Sequence, residues 1–199
     1  MFMNIDIFLS KSGIWGYPLL LLSIIALAII IERLIYYIVL YYKDRKINID
    51  KYIEIIENQN DISKIKENNY FNEILKKHFS GYSYYSYTKI KVELEKIWKN
   101  SKNNVKVLEF TVKVAPLLGI LGTISGIIKS FIAVGEFDME KKALVTSGIS
   151  EALLTTEAGL IISVIVLLWI YIFGWIRKKI FSKYENFLTI FEAILQDNK

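Results

Sequence analysis

The stretch from Val114 to Trp175 most constrains what this chain can fold into. It holds two apolar segments joined by a short charged loop. Each is long enough to cross about 30 Å of hydrocarbon at 1.5 Å of helix per residue. Within them sit Thr123, Ser125, Lys129, Glu151, Thr155, Thr156, Glu157 and Ser163, groups that lipid rejects. An ionisable residue inside a span is costly and marks a functional site by default, so these segments read as more than anchors.

Composition supports a membrane class. Hydrophobic residues make up 53% of the 199, yet 23% are charged, so the apolar residues must be gathered in blocks. The net charge of +5 is modest and no basic stripe carries a recognition motif, which argues against nucleic acid. The absence of cysteine excludes disulfides and cysteine-based metal or nucleophile sites. His78 is the single histidine, which leaves no multi-histidine metal site; beside a loop, it reads as a surface residue. No nucleophile, base and orienting group fall together, so the chain is expected to be neither an enzyme nor a cofactor or metal protein.

An earlier apolar segment runs from Tyr17 to Ile31, is interrupted by Glu32 and Arg33, and resumes to Tyr42. Glu32, Arg33 and later Lys129 are expected as interfacial charges whose long side chains snorkel to water. Trp15, Tyr17, Tyr36, Tyr37, Tyr41 and Tyr42 supply aromatic anchors. Residues 1–16 lack the basic region of a cleaved signal peptide and no small-residue cleavage site follows the apolar run, so this segment is expected to be a span. Lys11 is the one basic residue ahead of this segment; Arg33, Lys43, Arg45 and Lys46 follow it. The positive-inside rule therefore puts the N-terminus outside and Lys43 in the cytoplasm. Arg177, Lys178, Lys179 and Lys183 close the last segment on that same side. These basic groups could also hold acidic lipid headgroups.

Residues 44–113 are polar and helical in character. Asp50 is placed to cap a helix carrying Ile53 and Ile56, and Asp61 another carrying Ile62 and Ile65. Tyr70 to Phe79 is a third candidate, and Ser80 to Ser86 reads as a loop. Ile90, Leu94, Ile97, Val105, Leu108 and Val112 then recur at helical spacing. The spacing predicts one unbroken helix entering the membrane, with Lys91–Glu95, Glu95–Lys99 and Glu109–Lys113 able to pair along it. This polar region is too one-sided to bury a core alone, so it should pack on copies of itself or on the long helices. The face carrying Ile180, Tyr184, Phe187, Phe191 and Ile194 is expected to do the same.

In the second segment Gly119, Gly122, Gly126, Ser130 and Ala133 form a small-residue stripe, and Pro116 predicts a kink or loosening. In the third, Gly148, Ala152, Thr155, Gly159 and Ser163 form a matching stripe, with Glu151, Thr156 and Glu157 beside it. Burial would push either carboxylate toward its neutral form. For either glutamate an ion pathway or a packing bond to Lys129 or a hydroxyl stands open; Glu151, about 39 Å of helix from Arg177, has a reach to outer water as a third reading, whereas Glu157 lies deeper.

Two motifs carry a family resemblance. The run Val114-Ala115-Pro116-Leu117-Leu118-Gly119-Ile120-Leu121-Gly122-Thr123-Ile124-Ser125-Gly126, followed by Ser130-Phe131, resembles the second transmembrane helix of ExbB and TolQ proteins. Ile149-Ser150-Glu151-Ala152-Leu153-Leu154-Thr155-Thr156, then Ala158-Gly159-Leu160, resembles their third, and Ile31-Glu32-Arg33-Leu34 is similar to the end of their first. The resemblance is to the MotA/TolQ/ExbB superfamily, most to ExbB. It implies a subunit of a proton-driven inner-membrane motor. Several copies, five in the accepted view, enclose a pore of second and third helices. An ExbD- or TolR-like single-span partner with an essential aspartate threads that pore, and the complex energises TonB or TolA. By motif, Thr123 and Thr156 match the pore-lining threonines and Glu151 the glutamate near the pore. Glu157 departs from the pattern, where a small apolar residue is usual; with the other three it completes the expected proton pathway.

The expected architecture is an all-α integral membrane protein with three spans, the second and third extending into a helical cytoplasmic domain. The divisions are a periplasmic N-terminus (1–16), first span (17–42), cytoplasmic helical domain (43–109), second span (110–134), periplasmic loop (135–142), third span (143–176) and cytoplasmic C-terminal helix (177–199). The expected function is that of an ExbB-like motor subunit serving TonB-dependent transport across the outer membrane. A TolQ-like role in the Tol-Pal envelope system and a non-conducting membrane scaffold are the alternatives.

Overall fold

A computed structural model describes residues 5–44, 49–57, 70–134 and 141–197. All regular structure in them is helical: α1 (Ile5–Asp44), α2 (Ile49–Glu57), α3 (Tyr70–His78), α4 (Tyr84–Lys102), α5 (Val105–Val134) and α6 (Lys141–Asp197). Three stretches are long and apolar enough to cross a membrane: Asp6–Tyr42, Tyr84–Ala133 and Leu144–Asp197. The all-helical, three-span expectation holds. The helix expected around Asp61 and most of the loop expected at 135–142 lie outside the described residues.

The chain divides into two compact units. The first comprises residues 1–32 and 104–171. In its described part, α5 and α6 pack antiparallel along the two small-residue stripes. A Cβ on Gly126 would come within 2.5 Å of the Gly148 carbonyl oxygen, and one on Gly148 within 2.7 Å of the Gly126 carbonyl oxygen. Glycine is what lets these two backbones touch. Gly119 lies in the same way against Thr155 and Thr156, Gly122 against Thr155, and Gly159 against Ala115.

Pro116 does not interrupt α5. Proline has no N–H, so the carbonyl four residues back, on Val112, loses its helical donor. The Ser163 hydroxyl of α6 donates to that carbonyl at 2.9 Å. The helix loosens by one bond, and its neighbour replaces it.

The second unit comprises residues 33–103 and 172–199. Its core joins the short helices to the end of α6: Tyr52, Phe71, Leu75, Tyr87, Ile90 and Leu94 pack with Ile180, Tyr184, Phe187 and Phe191. The Phe71 ring stacks on Tyr184 and meets Phe187 edge-on, at centroid distances of 5.2 and 4.9 Å. This is the packing of short helices on long ones that the one-sided sequence calls for. Tyr87 donates to Glu192 Oε2 at 2.8 Å, and burial, with Glu192 adding to it, pushes its phenol up to about 12.

Several boundaries differ from expectation. The helix expected to run unbroken into the membrane is interrupted at Asn103 and Asn104, between α4 and α5. Asn104 takes a φ of 59°, a left-handed value that asparagine tolerates better than most residues. The apolar stripe gave no warning, because Ile97, Val105 and Leu108 are all buried on either side of the turn. Asp50 lies inside the first turn of α2 rather than ahead of it. Tyr84 to Ser86 belong to α4, capped by Ser83, whose hydroxyl accepts from the Ser86 N–H at 3.3 Å. The expected ion pairs along α4 and α5 do not form; Lys96 pairs instead with Glu93 at 3.1 Å, and Lys91 lies over the Tyr87 ring. His78 is half-buried rather than on the surface. The expected extension of the third span is present, since residues on either side of 177 belong to one helix, α6.

Arg33, expected as an interfacial charge, has a partner within the protein. It is buried in the second unit and donates from Nη1 to the Asn100 carbonyl oxygen at 3.1 Å, near the end of α4. Carbonyls there carry the negative end of the helix dipole, which draws a cation inward. Tyr37 donates to the adjacent Ser101 carbonyl at 3.0 Å.

Candidate functional site in the helix hairpin

The candidate site lies in the first unit, on α5 and α6. Thr123 and Thr156 meet across the hairpin, hydroxyl to hydroxyl. Both also reach the Gly119 carbonyl oxygen at 3.1 Å, and Thr123 reaches that of Ala152 at 3.3 Å. The bare backbone at Gly119 leaves that carbonyl accessible. Each hydroxyl has one hydrogen and two lone pairs. Their hydrogens are committed to each other and to carbonyls, and lone pairs remain for water on the half-exposed side.

Glu151 is elsewhere. Both its oxygens accept from Lys129 Nζ at 2.8 Å. The carboxylate side is 11% exposed and the lysine side 52%, so Lys129 covers Glu151 while keeping its own contact with solvent. The packing bond to Lys129 foreseen for Glu151 is therefore present. On its other side lies Gly13 of α1, where a Cβ would overlap the Glu151 carboxylate. Gly13 has φ 59° and ψ −153°, a conformation essentially reserved for glycine, and it kinks α1 there. Glu151 and Thr156 are five residues apart, about 140° around a helix, so the carboxylate and the hydroxyl pair lie on different sides of α6.

Glu157 is exposed, with no hydrogen bond or ion pair among the described residues. The structure thus brings Thr123 and Thr156 together, joins Glu151 to Lys129, and leaves Glu157 apart. Gly13 escaped the sequence reading because residues 1–16 lack periodicity. The partnership of Ser163 with Pro116 was open to simple counting: four residues back from the proline gives the carbonyl that needs a donor.

Depth can be read along the unit. Gly13 marks the level of Glu151, and Glu32 accepts from Asn104 Nδ2 at 3.1 Å. From Gly13 to Glu32 is about 19 residues, roughly 28 Å of helix, close to the thickness of a hydrocarbon core. Glu151 is level with one end of that stretch, and the threonine pair and Glu157 lie between its two ends.

Three long apolar helices with a polar, closely packed hairpin define a multi-pass membrane protein whose interior polar groups are built in rather than incidental. Comparison with known proteins gives the class a name. Residues 65–186 match the model of the MotA/TolQ/ExbB proton channel family, and the chain belongs to that family. It is 31% identical over 169 residues to a Synechocystis protein named biopolymer transport protein ExbB-like 1, covering 79% of this chain and 66% of that protein. Over 66 residues it is 36% identical to biopolymer transport protein ExbB of Pseudomonas putida, covering 33% of this chain and 20% of that one. Over 51 residues it is 39% identical to ExbB of Salmonella typhimurium, covering 26% and 21%. The chain thus spans just under two thirds of the first relative and about a fifth of the other two. It is an ExbB-like member of a channel family whose proteins transport rather than catalyse.

Proposed function

We propose that this chain is an ExbB-like subunit of a proton-driven motor in the bacterial inner membrane. It works with an ExbD-like single-span partner to energise TonB-dependent transport across the outer membrane. The N-terminus is periplasmic, the C-terminus cytoplasmic, and copies of the chain, five by resemblance, surround the pore. The observation that carries this reading is the Thr123–Thr156 hydroxyl pair, held across two apolar helices well inside the depth spanned by α1. Hydroxyls at that depth hydrate a passage without adding charge. Glu151, held at the edge by Lys129, tunes proton access to the partner's aspartate rather than carrying the proton alone.

The test is proton uptake by vesicles containing the chain and its partner. Thr123→Val with Thr156→Val keeps volume and removes both hydroxyls. Uptake should fall at least tenfold with assembly intact; unchanged uptake would sink the reading.

A non-conducting scaffold has one observation in its favour: the Thr155 hydroxyl donates to carbonyls of its own helix, to Glu151 at 2.9 Å and Ala152 at 3.0 Å, as a packing group does. The same valine variants decide, since a scaffold tolerates them. A TolQ-like role with a TolR-like partner and TolA uses the same hairpin. It is separated by which partner co-purifies with the chain.

A further inference from the structure

Glu157 and Lys113 are both exposed in the first unit, and neither has a hydrogen bond or ion pair among the described residues. Their faces point in opposite directions. Glu157 is two residues from both Thr155 and Gly159, which are buried on the α5 side of α6. Two residues are about 200° of helix, so Glu157 points away from α5. Lys113 is likewise two residues from the buried Thr111 and Ala115, and it points away from α6.

Neither face suits lipid. Glu157 lies about 9 Å inside the level of Glu151, and Lys113 about 13 Å inside the level of Asn104. Each is surrounded by exposed apolar side chains: Leu153, Leu160, Ile161 and Val164 around the carboxylate, and Leu117 and Ile120 beyond the ammonium. A bare charge at such depth is costly unless paired. The contacts of Ala115 with Gly159 and of Gly119 with Thr155 set the register of the hairpin. They put Lys113 about four residues, roughly 6 Å, from the level of Glu157, a gap that two long side chains span. Lys106 and Glu109 continue the stripe below Lys113. One acid between two bases leaves a surplus positive charge, and Glu157 supplies its complement.

We propose that Glu157 of one copy pairs with Lys113 of the next, so that the outer face of α6 packs on the outer face of the neighbour's α5. The partner is a second copy of this chain because the α5 face carries more base than acid and the α6 face around Glu157 carries an acid and no base. Two different surfaces on one protomer make a head-to-tail contact, the kind that closes into a ring. The contact does not require proton conduction, and the experiment reads assembly alone.

The chain contains no cysteine, so introduced thiols are unambiguous. In membranes holding the full chain, K113C/E157C treated with a membrane-permeant bis-maleimide, which covers an offset that a disulfide cannot, should give a ladder of linked copies, and either single variant should remain unlinked. Linked dimers from E157C alone would mean a symmetric contact and overturn the proposal. So would rapid modification of E157C in the assembled protein by a charged, membrane-impermeant thiol reagent, which places the carboxylate on a water passage. Charge reversal is the second arm: K113E and E157K should each reduce the assembled fraction several-fold, and the double reversal should restore it. The unmodified chain gives a third arm that does not depend on any variant folding. A membrane-permeant carbodiimide activates a carboxyl, and attack by a lysine amine forms an amide with net loss of water. An amide joining Lys113 and Glu157 of different copies is expected; Lys113 joined only to Glu109 would overturn the pairing.

Discussion

Gly13 shows how one residue governs a charged site it does not chemically join. Its backbone lies in a region that side chains avoid, and the Glu151 carboxylate occupies the space a Cβ would need. Gly13→Ala should destabilise the protein by about 1–3 kcal/mol from backbone strain alone. It should also loosen the Lys129 pair, seen as a lower melting temperature in detergent together with easier chemical modification of Lys129. Tyr87 is a second residue-level case. Its phenol titrates at about 12 against an ordinary 10.0, so the folded state favours the neutral form. That stabilisation is complete below pH 10 and is lost as pH rises through 12. Tyr87→Phe should cost about 1–2 kcal/mol at neutral pH through the lost bond to Glu192. It should also remove one tyrosinate transition from the alkaline end of the absorbance titration.

At the scale of elements, the Pro116–Ser163 partnership gives a two-residue test. Ser163→Ala leaves the Val112 carbonyl without either donor and should cost about 1–2 kcal/mol. Pro116→Ala returns the missing N–H, so in that background the Ser163 change should cost markedly less. A double-mutant cycle of thermal unfolding measures the difference. Elements also show what the sequence revealed. The stripes Gly119-Gly122-Gly126 and Gly148-Ala152-Gly159 were legible because helical packing requires small residues at helical spacing, and the structure packs them on each other. The Asn103–Asn104 turn was not legible: a two-residue break leaves the apolar period in phase, and only the paired asparagines hint at it. The burial of Arg33 was not legible, because a basic residue at the end of an apolar run normally snorkels. Its partner, a carbonyl near the end of α4, is about 67 residues away and has no signature in the local sequence.

At the scale of the whole molecule, the family and the three spans follow from blocks of hydrophobicity and two motifs. The sorting of the polar groups does not. Thr123, Glu151, Thr156 and Glu157 look like one pathway in sequence, yet 100° of turn per residue distributes them over three directions. Only the threonines meet. The central claim is that this hydroxyl pair hydrates a proton passage. It is tested most directly by proton uptake into sealed vesicles containing the full chain and its partner, comparing the native protein with the Thr123→Val/Thr156→Val variant at equal assembly. At least a tenfold loss of uptake is expected in the variant. Native-rate uptake by a fully assembled variant would contradict it.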